Sequence, residues 1–174
     1  MSYHIIMSHD YVYGSYSSPV GGLFVAKGPR GITALTIGEG EGEFLAGFSE
    51  DLAPSLAQGR FSALFRLFDE YFKGAPVVFS VPVDPSGTDF DKRVWGALSA
   101  IPWGSCKSYG ELASVIGKPG AARAVGGACG RNPIPLIIPC HRVLQSGGLI
   151  GGYSGGAGVK ESLLAIEGIP FKTR

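Results

Sequence analysis

At 174 residues, with 45% hydrophobic and 17% charged side chains, the chain has the make-up of a globular protein of one ordinary domain or two small ones. No run approaches the roughly 18 consecutive apolar residues of a membrane span, and the opening MSYHIIMSHD lacks the basic start and long apolar segment of a signal peptide. Membrane and secreted classes are therefore set aside, and an intracellular, cytoplasmic protein is expected.

The net charge of +1 conceals an asymmetry. Through Asp84 there are five Lys and Arg against nine Asp and Glu, whereas from Pro85 onward there are ten against five. A basic second half suits a polyanionic partner and an acidic first half does not, although two solvated surfaces without a partner would carry the same charges. Three cysteines, Cys106, Cys129 and Cys140, are too few and too far apart for a disulfide framework or a CxxC metal pair. Free thiols and no structural metal are expected.

In chain order, YHIIM, GLFVAK and GITALTI supply strand material, the last two joined at Gly28-Pro29-Arg30-Gly31, which has the composition of a turn. Phe61, Leu64, Phe65, Phe68, Tyr71 and Phe72 recur at helical spacing and predict an amphipathic helix ending at Gly74. VVFSVPV, 77–83, is expected as a short strand. The linker-like DPSGTD after it divides the chain into units 1–84 and 85–174.

The second unit opens with a helical pattern around Phe90, Val94, Trp95 and Leu98, stopped by Pro102 and Gly104. Ser108-Tyr109-Gly110-Glu111 is then an S-x-x-E capping box, in which the hydroxyl and the carboxylate each satisfy an orphan backbone donor, so a helix starts there. After the turn Lys118-Pro119-Gly120 comes AARAVGGACG. Its interior Gly126 and Gly127 each cost roughly 1 kcal/mol relative to alanine. With Ala121, Ala122, Ala124 and Ala128 they leave a nearly bare surface from which Arg123 projects. Either another helix packs closely against that surface, or it is a recognition helix pressed against nucleic acid, in which case Arg123 points to solvent.

IPLIIPCHRVLQSGG, 134–148, places a thiol between a proline and a histidine. A thiolate is the reactive form of cysteine, and a neighbouring base is one way to reach it. His141 is that candidate base for Cys140, but adjacent side chains on an extended strand face opposite ways, so a turn or a bridging water is required. Glu167 is the acid chosen to orient His141, with an ordinary surface acid as the alternative. Asn132, before Pro133, is a cap or a hinge. The glycine-rich SGGLIGGYSGGAG lacks the features of a phosphate cradle and is either a linker or a loop that brings Tyr153 and Ser154 over the cysteine.

IPCHRV preceded by AARAVGGA and Asn132-Pro133, and followed by GYSGG and KESLLAIEG, resembles the O6-alkylguanine-DNA alkyltransferases over about residues 90–169. The resemblance implies an α+β fold: a small N-terminal ribonuclease-H-like α/β domain, then a mainly helical C-terminal domain whose helix-turn-helix enters the minor groove. It implies direct-reversal repair of double-stranded DNA containing O6-alkylguanine, with Cys140 as a single-use acceptor of a methyl or larger alkyl group and no cofactor. Arg123 falls on the finger that fills the stack when the damaged nucleotide is flipped out, and Tyr109 on the tyrosine that helps rotate it.

Cys140, His141 and Glu167 fall on a relay acting through a water, and Asn132 on a hinge bonded near the thiol. Tyr153 falls on the donor to departing guanine O6, with Ser154 nearby and with Pro135 and the backbone of Val143 lining the pocket. The N-terminal zinc of some members is placed in doubt by the lack of any cysteine before Cys106, and a monomer is expected. The competing readings are a helix-turn-helix regulator or lesion sensor without alkyl transfer, and a Cys-His hydrolase.

Overall fold

The N-terminal sheet is built from chain-local hairpins. In this computed structural model, which describes residues 10–153, 155–156 and 158–173, β1 (Val12–Ser18) pairs antiparallel with β2 (Gly21–Gly28), and β2 with β3 (Gly31–Ile37). A short helix α1 (Glu41–Ala46) and a two-residue strand β4 (Ser55–Leu56), parallel to β1, give the order β3-β2-β1-β4. Alternate residues Leu23 and Val25 of β2, with Leu35 and Ile37 of β3, turn to one face and are buried there. Helix α2 (Ser62–Phe72) covers that face with Leu64, Phe68 and Tyr71.

The second half is helical. Thr88 and Asp91 form a capping box that starts α3 (Asp89–Ser99), and Ser108 and Glu111 form the one expected at α4 (Tyr109–Val115). Helix α5 (Ala122–Gly130) packs on both, with Trp95 Nε1 donating to the Ala128 carbonyl at 2.9 Å. A two-stranded parallel pair joins β5 (Lys107–Ser108) to β6 (Val143–Leu144), and α6 (Val159–Ile166) closes the chain. The architecture is α+β, as expected.

One contiguous apolar cluster runs from Leu23, Leu35 and Phe68 through Trp95 and Ile134 to Leu163, so the sheet and the helices share a core. Strand β3 is the seam. Its Leu35 amide donates to the Pro133 carbonyl at 2.8 Å, which fixes the segment after α5 against the sheet edge.

One local expectation needs correction, and two elements come without one. Residues 77–83 form no strand: Pro76 and Pro82 remove amide donors, and the segment makes only an isolated bridge, Val83 to Ile32. The Ser-rich VYGSYSS, by contrast, is β1, and α1 also went unforeseen. The YHIIM segment lies outside the described residues. Among the described residues no helix is long and apolar enough to cross a membrane.

Candidate active site around Cys140

Cys140 opens a single 3-10 turn, Cys140–Arg142, at the end of the apolar run Ile134–Ile138. Within that run the buried Leu136 has φ 71°, a left-handed conformation that costs a branched side chain about 1–3 kcal/mol and persists only where the surroundings hold it. The turn resolves the adjacency of cysteine and histidine. It sends Cys140 toward α5 and the glycine-rich loop, and His141 toward the end of α6.

Asn132 supports the sulfur directly. Its Nδ2 donates to Cys140 Sγ at 3.1 Å and to the Ile138 carbonyl at 2.8 Å, while its Oδ1 accepts from the Ile134 amide at 3.1 Å. Burial pushes the Cys140 thiol pKa up; the Asn132 bond, Tyr153 and the Lys160 charge pull it back. The thiol opens into a cavity of about 310 Å3 lined by Tyr109, Gly126, Cys129, Gly130, Gly152 and Tyr153. Cys129 is itself buried, and burial together with Cys140 raises its pKa to about 12.

Behind the thiol lies a buried ionic knot. Glu167 Oε1 accepts from His141 Nε2 at 2.8 Å, from Tyr71 Oη at 2.8 Å and from Arg142 Nη2 at 2.9 Å; Oε2 accepts from Arg142 Nε at 2.7 Å. Burial works against the carboxylate, yet the His141 and Arg142 hydrogen bonds outweigh it and hold the Glu167 pKa at about 2. Glu167 is thus an interior residue rather than a surface acid.

Since an ionised carboxylate only accepts, His141 Nε2 carries the proton and Nδ1 presents a lone pair. That Nδ1 is fully buried and has no hydrogen-bond partner among the described residues. Burial lowers the His141 pKa against the pull of Glu167, which favours a neutral ring able to take a proton. The Tyr153 hydroxyl is likewise buried and without a hydrogen-bond partner among the described residues; burial, then Cys140, raises its pKa, whereas Tyr153 in turn eases ionisation of the sulfur.

The α5 residues divide between two faces. Val125, Ala128 and Cys129 are buried, Arg123, Ala124 and Gly127 are exposed, and Ala121, Ala122 and Gly126 are half-buried. A Cβ on Gly126 would meet Tyr109 at an ordinary 3.8 Å, and one on Gly127 only the flexible tip of Arg131 at 3.2 Å. Packing within the chain therefore demands neither glycine. Tyr109, at the start of α4, borders the cavity, and burial raises its pKa to about 12.

Not every expected residue arrives at the cavity. Pro135 lines a separate space of about 660 Å3 between β3, α1 and the segment after α5. Val143 is fully buried, its carbonyl accepts from Lys160 Nζ at 2.6 Å, and it is not among the residues that line the Cys140 cavity. Ser154 lies outside the described residues. Sequence reasoning missed Tyr71, Arg142 and Lys160. Arg142 stands inside the motif itself, but charged side chains are so rarely buried that only a partner in three dimensions identifies it.

Fold and site together define a cysteine-centred protein, with a buried thiol held by an amide and backed by a His-Glu pair, beside a helix with a bare outer face. Residues 11–85 match the family model described as 6-O-methylguanine DNA methyltransferase, ribonuclease-like domain, and residues 89–169 the one described as 6-O-methylguanine DNA methyltransferase, DNA binding domain. The chain belongs to the 6-O-methylguanine DNA methyltransferase family.

A methylated-DNA-protein-cysteine methyltransferase of Methanosarcina acetivorans is 38% identical over 158 residues, 90% of this chain and 97% of the relative. One of Mycobacterium bovis is 51% identical over 109 residues, 63% of this chain and 66% of the relative, so that match spans just under two thirds of its length. The crystal structure of Mycobacterium tuberculosis O6-methylguanine methyltransferase superposes with a TM-score of 0.79 at 42% identity, covering 90% of this chain and 92% of the other. A structure of the Mycobacterium tuberculosis protein in complex with DNA gives 0.79 and 42%, covering 89% and 91%.

Proposed function

We propose that the chain repairs alkylated DNA by direct reversal, taking a methyl or larger alkyl group from O6 of guanine onto Cys140 Sγ. The observation that carries this reading is an acceptor sulfur that shares one cavity with Tyr153, whose Oη is unsatisfied, and is followed in the chain by His141, whose buried Nδ1 is unsatisfied too. The Cys140 proton passes through a bridging water to His141 Nδ1, while Glu167 holds the ring and stabilises its charged form. The thiolate attacks the alkyl carbon, the C–S bond forms as the C–O bond breaks, and the electron pair leaves on guanine O6. Tyr153 donates to that oxygen and Asn132 holds the sulfur in line.

The product is a thioether, whose carbon is not readily displaced, so each chain reacts once. A hydrolase would need its histidine on the thiol, and no hydrogen bond joins His141 to Cys140 among the described residues. DNA is the partner on the α4–α5 side. The two helices act as a helix-turn-helix in the minor groove, with Ala121, Ala122, Ala124, Gly126 and Gly127 allowing close approach of the backbone. Arg123 fills the stack left by the flipped nucleotide and Tyr109 helps rotate it. Extrusion is easiest for a base that pairs poorly, which favours the lesion.

The test is a count of guanines restored in an O6-methylguanine duplex. One per protein molecule is expected, none for Cys140→Ala, and binding of that variant to the duplex is retained. Continued turnover, or repair by Cys140→Ala, contradicts the reading.

A further inference from the structure

Oε1 of Glu167 carries three donors, His141 Nε2 at 2.8 Å, Arg142 Nη2 at 2.9 Å and Tyr71 Oη at 2.8 Å, whereas Oε2 accepts from Arg142 Nε. Arg142 grips the carboxylate at both oxygens and is itself pinned by the Ile101 carbonyl at 2.6 Å, so the carboxylate plane is set without Tyr71. Orientation does not account for a third donor on the oxygen that His141 uses.

Tyr71 comes from the other half of the molecule. It lies on α2, in the ribonuclease-like part of the chain, residues 11–85, and reaches Glu167 across 96 residues. Its ring is fully buried and stands edge-on to Phe72 and Trp103, at centroid distances of 5.2 and 5.1 Å, which fixes where the hydroxyl points. Burial and the neighbouring carboxylate push its pKa far up, so it remains a donor at every working pH. Each donor on an oxygen draws off part of the negative charge that the others meet. Tyr71 therefore weakens the hold of Glu167 on a protonated His141.

The titratable and charged groups around His141 and Glu167 come from each element packed on them. Their turn gives Cys140 and Arg142, α6 gives Lys160, the glycine-rich loop gives Tyr153, and α2 gives Tyr71. Asp91, the buried acid of α3, is occupied by Arg131 and Thr88. Burial, Arg142 and Lys160 all disfavour a charged imidazole, and Glu167 alone among the described residues favours it. Tyr71 bears directly on Glu167.

We infer that Tyr71 is a positioning residue supplied by the ribonuclease-like half: by sharing Oε1 with His141 Nε2, its hydroxyl restrains the carboxylate, so that the imidazole stands uncharged and ready for the Cys140 proton. Tyr71 is not among the residues that line the Cys140 cavity and acts only through Glu167 and His141. It keeps its own proton throughout. The use of this restraint rests on the reading of His141 as acceptor of the Cys140 proton, but the restraint itself operates without DNA. It makes correct docking of the first half on the second a condition of reactivity.

The test follows the His141 ring nitrogens by 15N NMR against pH, on the full chain without DNA. In Tyr71→Phe the midpoint is expected to rise by about one pH unit, because Glu167 then holds the imidazolium proton more firmly. The acid limb of the reaction with the free base O6-benzylguanine should rise with it, the loss of rate being about tenfold greater on that limb than on the plateau. A mere packing defect would lower the rate alike at every pH. Tyr71→3-fluorotyrosine keeps the ring and strengthens the donor, and is expected to move the midpoint the opposite way.

A His141 ring whose charge at each pH is the same in Tyr71→Phe as in the parent, or whose midpoint falls, overturns the inference. So does a 3-fluorotyrosine variant displaced in the same direction as Phe. A chain whose His141 responds to Tyr71 as expected but whose Cys140 accepts no methyl group from DNA would overturn the acceptor reading alone. A competent acceptor whose His141 is indifferent to Tyr71 would overturn only this inference.

Discussion

Glu167 has both carboxylate oxygens engaged by His141, Arg142 and Tyr71 in a place that solvent does not reach, whereas Arg123, on the outer face of α5, is exposed and makes no hydrogen bond or ion pair among the described residues. The two regions flank the same thiol. In the first, every interaction that orients His141 is complete within the free chain, so electrostatic preorganisation is already present before any partner arrives. In the second, small side chains and two glycines that no internal contact requires leave a bare surface, which the proposed function assigns to DNA. On the proposed function, the reacting apparatus is finished by folding and the recognition face by binding.

The contrast is broken most severely at the knot. Glu167→Gln leaves the Arg142 guanidinium buried without its counter-ion, and a loss of about 3–5 kcal/mol in unfolding free energy is expected from urea denaturation, with alkyl transfer slowed at least about a hundredfold. A variant within about 1 kcal/mol of the parent would mean that the knot contributes little.

The acid dependence follows from the same carboxylate. Its folded pKa, about 2, lies below the ordinary 4.5, so its contribution is fully present above the ordinary value and is lost as pH falls through the folded one. Stability should therefore decline between about pH 5 and pH 2, and the decline should be shallower in Glu167→Gln.

On the other side, Arg123→Ala should change stability by no more than about 0.5 kcal/mol, because the side chain is exposed. It should slow repair of a duplex lesion by about tenfold or more, as expected when a group that stabilises the flipped state is lost. The reaction with the free base O6-benzylguanine should be unchanged, since no flipping is involved. Equal losses on duplex and free base would dissolve the distinction between the two regions.

The smallest effect is expected at Gly127→Ala. The added methyl meets only the tip of Arg131, so the helix should gain up to about 1 kcal/mol while affinity for duplex DNA falls. A gain in stability with unchanged affinity would mean that this face does not approach a partner closely.

The sequence announces most clearly whatever is local. The S-x-x-E cap of α4 and the aromatic spacing of α2 are patterns within one element, and both recur in the structure at the expected places. β1 was illegible because four of the seven residues of VYGSYSS are serine or glycine, and it is held as a strand by its partners β2 and β4. Residues 77–83 show the converse, a β-like composition whose prolines leave too few donors for a ladder.

At the site, the motif residues could be picked out by resemblance, but their environments could not. Tyr71 reaches Glu167 from 96 residues away. Lys160 and Arg142 carry charges that any pattern of hydropathy would assign to the surface, and only the tertiary fold supplies the acceptors that make their burial tolerable. The displacement of Pro135 to the neighbouring cavity likewise depends on which way the chain turns around Leu136.

The central claim is that Cys140 is the alkyl acceptor, and peptide mass mapping after incubation with an O6-methylguanine duplex tests it most directly. The peptide carrying Cys140 should become heavier by one methyl group in proportion to the lesion removed, with those of Cys106 and Cys129 unaltered. Loss of the lesion with the Cys140 peptide unmodified, or the methyl group on another residue, would contradict it.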